Sequence, residues 1–176
     1  TRLPIPTTWP QDGGPFMTLP LVVTSDPETG VHNLGMYRSQ VFSPDEVGLH
    51  WQKHKHGADH AEASEDRMPV AICLGGPPQV IFSAISPLPD NLSEYEFAGL
   101  LSGRRLKITK CLTNDLWVPA DCDFVIEGYT LPSERRMEGP FGDHFGHYSL
   151  EDEYPVMHVT AITHRKDPTV PMTIVG

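Results

Sequence analysis

Leu19-Pro-Leu-Val-Val-Thr24, Ser25-Asp-Pro-Glu-Thr-Gly30 and the segment over residues 31–42 decide the fold. The first reads as a strand. The second is a tight turn closing on a glycine free to take positive φ, and the third is the returning strand, so the founding unit is an antiparallel hairpin. Working outward, eighteen prolines and fifteen glycines spread over 176 residues cut the chain into short pieces. That favours many strands over a few long helices. Residues 48–53 form a further candidate strand and 58–65 a short helix. Residues 68–74 are almost uniformly apolar and β-rich, as expected of a buried strand. A helix is expected after Pro77, through residues 80–84 and ending before Pro87. Another opens at Ser93, with Glu96 at capping-box spacing, and closes near Gly99 or Gly103. Strands over 106–111, 124–130, 157–163 and 171–175 complete the set. The expected class is α+β and β-rich, an antiparallel barrel or sandwich with a few inserted helices.

Composition narrows the partners. Acidic residues outnumber basic ones 23 to 13, a formal charge of −10, which argues against a nucleic-acid surface and against anionic membranes. No apolar run approaches the ~20 residues that span a bilayer, and no charged-then-apolar leader opens the chain. Cys73, Cys111 and Cys122 are odd in number and widely spaced, without a C-x-x-C, so neither a disulfide framework nor a zinc knuckle is indicated and a reducing, cytoplasmic setting is expected. The chain opens on Thr1 and stops at Ile174-Val175-Gly176 directly after a β-rich run, and reads as an excised domain or a proteolytic fragment. Phosphate-binding glycine loops are absent.

Three constellations could carry chemistry. Glu138-Gly-Pro-Phe-Gly-Asp143-His144 places two carboxylates on a Gly/Pro-constrained stretch where a helix or strand is not expected. Either the acids are presented for chemistry, or Asp143 caps a turn and Glu138 is solvated. Asn33-Leu-Gly-Met-Tyr-Arg38 sets a guanidinium on a half-buried strand. It could grip a substrate carboxylate, pair with a loop acid, or form a purely structural pair. His50, His54, His56 and His60 crowd eleven residues but lack metal-site spacing, so one or two at most should be functional. Glu94 is a further candidate ligand, or an acid placed by the helix dipole.

These strings, with Met68-Pro-Val-Ala71, Pro87-Leu-Pro89, Ser93-Glu94-Tyr95, Phe97-Ala-Gly-Leu-Leu101, Val118-Pro-Ala120, Glu127-Gly-Tyr129 and Ile162-Thr-His-Arg165, occur in the order of one family. The chain resembles the UbiD decarboxylases, which add or remove carboxylate groups on unsaturated and aromatic acids with prenylated flavin mononucleotide (FMN). The resemblance implies an antiparallel split β-barrel of flavin-binding type over residues 19–176, preceded by an N-terminal linker or extension over 1–18. It also implies that the family's flanking N- and C-terminal domains lie outside this chain.

Carried over residue by residue, the resemblance assigns Arg38, Glu138 and Asp143 to a catalytic acid–arginine–acid network with Asp143 as proton donor. Met36, Tyr37, Arg38, His50, Trp51, Gln52, Lys55 and His56 fall at flavin contacts. Asn33, His54 and Glu94 fall at ligands of a divalent cation, manganese or magnesium, with potassium as a further cation. The implied partners are a small carboxylic acid substrate, a flavin prenyltransferase that supplies the cofactor, and further copies of the full-length protein. Asp143 stands where some members carry glutamate, which resembles the aromatic-acid members more than the cinnamic-acid type. His56 stands where one branch has glycine.

Overall fold

A computed structural model of the chain describes residues 3–51, 66–89 and 92–174. Ten strands and two helices occur among them: β1 Phe16–Met17, β2 Leu21–Ser25, β3 His32–Met36, β4 Ser39–Ser43, β5 Glu46–Gly48, β6 Met68–Leu74, α1 Pro78–Ser83, α2 Glu94–Ser102, β7 Ile108–Lys110, β8 Trp117–Pro119, β9 Phe124–Glu138 and β10 Asp152–His164. Eight strands form one curled antiparallel sheet in the order β1-β4-β5-β10-β9-β6-β2-β3, and β7 and β8 pair separately. The expected β-rich α+β class and its split-barrel form are what the chain adopts.

The founding hairpin forms as read. Leu21 pairs with Met36 and Ser25 with His32. Asp26 accepts from the Glu28 and Thr29 amides at 2.8 and 3.1 Å, and Gly30 closes the turn at φ 70°. Strand side chains alternate between two faces, and here both faces are covered. Val22, Val70, Ile72, Leu74, Phe124 and Ile126 meet Leu49, Trp51 and Met157 on one side. Leu21, Val23, Ala71 and Cys73 meet Val80, Ala98, Leu116 and Val118 on the other, under the helices. This two-sided burial explains why β6 is apolar throughout. In α2, the Ser93 hydroxyl accepts from the Glu96 amide and the Glu96 carboxylate accepts from the Ser93 amide, both at 3.2 Å.

Several expectations are corrected. Residues 31–42 are two strands, because β3 pairs at one edge of the sheet whereas β4 pairs with β1 and β5 near the other, so the chain must cross at Tyr37 and Arg38. The strand expected over 124–130 runs on to Glu138, held by its pairing with β10 down to Glu138 opposite Asp152. Glu138 is therefore a strand residue, and the loop begins after it. Of the strand expected over 48–53, Gly48 ends β5, residues 49–51 form no strand and 52–53 lie outside the described residues, and β7 covers only Ile108–Lys110 of the expected 106–111. Residues 171–174 form no strand. Pro171 has no amide to donate, and the Thr173 amide goes to the Thr18 hydroxyl at 2.9 Å. Residues 3–18, expected as a linker or extension, contribute β1 to the sheet and the buried Phe16 to its core. The helix expected over 58–65 lies outside the described residues.

Candidate active site

Three elements that are remote in sequence converge on one carboxylate. Arg38 comes from the β3–β4 crossover, His50 follows β5, and Glu138 ends β9. Glu138 is 1% exposed. Its Oε1 accepts from Arg38 Nε at 3.0 Å and lies 3.0 Å from Arg38 Nη2 and 2.8 Å from His50 Nδ1. Its Oε2 is buried with no partner among the described residues. A buried carboxylate is costly unless paired, so the cation and the imidazole are what make this burial tolerable. All the observed donors crowd one oxygen.

The surroundings hold the trio in register. The Arg38 guanidinium lies 4.7 Å from the centroid of the Phe141 ring and donates to Ser149 Oγ at 3.3 Å. The His50 ring packs on Tyr154, with centroids 4.2 Å apart. Burial, with the charges of Glu138 and Asp152, raises the Tyr154 phenol above its ordinary range, and Arg38 opposes that shift.

Asp143 lies elsewhere. Its Oδ1 accepts from the Phe145 amide at 2.8 Å, its carbonyl accepts from the Gly146 amide, and its own amide donates to the His147 carbonyl. It shapes a local Asx-type turn rather than touching Arg38 or Glu138.

The loop carrying it is clamped by residues that the sequence reading did not single out. Asp12 Oδ1 accepts from the Gly142 amide, Gln40 Oε1 accepts from the Gly139 amide, and the Gly13 amide donates to the Pro140 carbonyl, each at 2.8 Å. A Cβ at Gly13 would collide with the Gly139 carbonyl, so only glycine permits this approach. The turn-forming Asp12-Gly13-Gly14 was the available signal, but a turn does not say what it packs against.

An open cleft of about 1350 Å³ borders the trio, lined among others by Asn33, Met36, Tyr37, Arg38, His50 and Glu94. It exceeds the ~300–1,000 Å³ of ordinary small-molecule sites. Glu138, with no exposed side-chain surface, stands behind Arg38 and His50. Asn33, on β3, is buried, and its Nδ2 has no partner among the described residues. Glu94, at the start of α2, accepts from the Leu34 amide at 3.2 Å, which brings it beside β3. An amide left unconsumed by the fold fits an anion through its N–H, or a cation through its oxygen if turned over, and a neighbouring carboxylate adds a hard oxygen donor. No cluster of three or more His, Cys, Asp or Glu poised for a metal occurs among the described residues. Trp51, expected at the flavin, is 4% exposed within the barrel-side core, with no partner for its indole N–H among the described residues. Gln52, His54, Lys55, His56 and His60 lie outside the described residues.

The curled sheet and the bordering cleft define a split-barrel domain. In fold alone it is similar to a putative flavin reductase with a split barrel domain from Shewanella frigidimarina (TM-score 0.60, 11% identity, 89% of this chain and 73% of that one). The family is more specific: residues 1–176 match the UbiD 3-octaprenyl-4-hydroxybenzoate carboxy-lyase Rift-related domain, and the chain belongs to the UbiD family. It is 49% identical over 179 residues to an uncharacterized protein of Archaeoglobus fulgidus, covering 99% of this chain and 37% of that protein. The chain thus spans little more than a third of that relative's length. Among solved structures it is similar to the UbiD-class enzyme HmfF of Pelotomaculum thermopropionicum in complex with FMN (TM-score 0.91, 35% identity, 96% and 38% covered). An evolved dimeric form of HmfF in complex with prenylated FMN superposes equally well (TM-score 0.90, 35% identity, 96% and 40% covered). Vanillic acid decarboxylase of Sedimentibacter hydroxybenzoicus in closed form matches at TM-score 0.91 and 37% identity, with 96% and 37% covered. No helix among the described residues is long and apolar enough to cross a membrane.

Proposed function

We propose that this domain holds prenylated FMN in the cleft beside Arg38 and His50 and serves a reversible carboxy-lyase acting on an aromatic or α,β-unsaturated carboxylic acid. The observation that carries this reading is the buried Glu138 carboxylate, gripped on one oxygen by Arg38 and His50 at the wall of that cleft. It gains support from the vanillic acid decarboxylase among the similar structures. Bound prenylated FMN would supply the electron sink for the charge left when CO2 departs.

The chain's own residues then do the positioning. Arg38 is permanently charged and planar. With Nε and Nη2 turned to Glu138, its guanidinium is fixed in orientation and can hold a substrate carboxylate by its cleft-facing edge. Asp143 is the proton donor in this reading; its Oδ1 accepts from the Phe145 amide, which leaves Oδ2 to carry the proton. Met36, Tyr37 and Trp51, with Gln52, Lys55 and His56, would contact the flavin, and His50, which the resemblance also assigns there, lines the same cleft while bonded to Glu138. Asn33, His54 and Glu94 would hold manganese or magnesium, hard cations suited to the two oxygen donors, with potassium as a further cation. Three free cysteines fit a reducing, cytoplasmic setting. A flavin prenyltransferase would supply the cofactor, and the full-length protein would assemble with copies of itself. Because the chain spans 37% of its relative's length, a second reading is a flavin-binding module that is inactive on its own.

The test is the full-length protein co-produced with a flavin prenyltransferase, followed by absorbance and mass spectra of the bound cofactor and turnover of aromatic acids. Asp143→Asn should keep the prenylated cofactor and lose turnover. Full activity in that variant, or binding of unmodified FMN alone, would overturn the proposal.

A further inference from the structure

We propose that His50 is a positioning residue for Glu138, with a role separate from contact with the flavin; this rests on the proposed function above. The backbone places the imidazole from two sides. The Leu49 amide donates to the Pro155 carbonyl at 3.0 Å, and the His50 amide donates to the Arg38 carbonyl at 3.3 Å. The first bond ties the segment to β10 and the second ties it to the residue that shares its target. Packing against Tyr154, with the two rings tilted by 34°, then restrains the ring. Nδ1 reaches Glu138 Oε1 at 2.8 Å, shorter than either Arg38 contact.

The chemistry follows from that contact. A carboxylate oxygen accepts, so Nδ1 carries the proton, and Nε2 is left to the cleft that His50 lines. Of the two side chains on Oε1, Arg38 offers only donors, whereas the imidazole offers a donor on one nitrogen and an acceptor on the other, and it is packed among Glu138, Arg38 and Tyr154. His50 thereby links the fully buried carboxylate to the cleft. Without it, Glu138 would keep Arg38 alone on Oε1 and could swing its partnerless Oε2 toward the guanidinium, turning the face that Arg38 offers to a substrate.

Two measurements on the full-length protein test this. In ¹⁵N spectra of histidine-labelled, cofactor-free protein, His50 should show a protonated Nδ1 whose signal moves in Glu138→Gln; a neutral ring protonated at Nε2 would overturn the proposal whether or not the enzyme is active. In the flavin-loaded protein, His50→Leu should lower kcat about 10- to 100-fold, the scale of one charge-assisted hydrogen bond, with flavin occupancy and KM little changed. His50→Asn keeps a donor near the Nδ1 position and should recover most of that loss. Equal losses in both variants, or loss of flavin in both, would overturn it in favour of a cofactor contact. Absence of decarboxylation in the wild type would count against the proposed function and leave the ¹⁵N result to decide His50.

Discussion

Strand β9 buries two glutamates to the same extent, each 1% exposed, and treats them in opposite ways. Glu127 has both oxygens occupied by neutral donors from one short loop. Oε1 takes the Leu112 amide at 2.9 Å, and Oε2 takes the Thr113 amide and hydroxyl at 2.7 and 2.8 Å. Glu138 has one oxygen shared by two cationic or protonatable groups from separate elements, while the other oxygen has no partner among the described residues. Local backbone donors make a buried carboxylate part of the scaffold. In the proposed function, side chains converging from remote segments onto one oxygen, with the other oxygen left over, are what hold a buried carboxylate for chemistry.

The comparison can be broken most forcefully at Arg38. Arg38→Met strands Glu138 with His50 alone and should cost about 3–5 kcal/mol, the scale for breaking a buried ion pair, read as a lowered urea midpoint. An unchanged midpoint would show that the burial of Glu138 does not depend on the guanidinium. Next in size, Glu127→Gln replaces one acceptor oxygen by an amide that cannot accept and should cost about 1.5–3 kcal/mol. Flavin affinity, measured by fluorescence quenching, should stay at the wild-type value, because neither Leu112 nor Thr113 lines the cleft.

The smallest effect sharpens the same contrast between a satisfied group and a poised one, now with histidines. His32 is locked between Gly30 and Trp117: Nδ1 donates to the Gly30 carbonyl at 3.1 Å, and Nε2 accepts from the Trp117 amide at 3.0 Å. Burial lowers its pKa from the usual 6.5, partly offset by the bond to Gly30. Between the folded and unfolded pKa values the unfolded chain binds more protons. The stability owed to His32 is therefore complete above about pH 6.5 and is lost as pH falls below it. Urea midpoints at pH 7.5 and 5.5 should fall apart by more in the wild type than in His32→Asn. An equal acid loss in the two would remove His32 from the account.

What could be read from the sequence follows from how local each cause is. The hairpin at residue 30, the Ser93–Glu96 capping box and the apolar β6 are set by neighbours a few residues apart, and all three appear where the residues place them. The split at Tyr37 and Arg38 was not legible. It arises because β3 and β4 find partners at opposite ends of the sheet, and pairing across the sheet leaves little trace in a single strand's composition. The same non-locality hid the extension of β9 to Glu138 and the clamp of Asp12 and Gly13 on the acidic loop. At the site, Arg38 and Glu138 were named from their residue types and are brought together. Asp143 was named beside them and is placed in its own turn, the plainer of its two sequence readings. His50 was assigned to the flavin, and only the fold reveals its contact with Glu138.

The central claim is that Glu138 is held for chemistry whereas Glu127 is held for structure. The most direct measurement is the decarboxylation rate of the full-length, prenylated-FMN-loaded protein carrying Glu138→Gln, beside Glu127→Gln prepared in the same way. The account predicts that Glu138→Gln retains flavin and fold yet loses turnover by about 100-fold, on the scale of a charge-assisted hydrogen bond that positions Arg38, while folded Glu127→Gln turns over at the wild-type rate. Wild-type turnover in Glu138→Gln, or equal losses in the two variants, would contradict it.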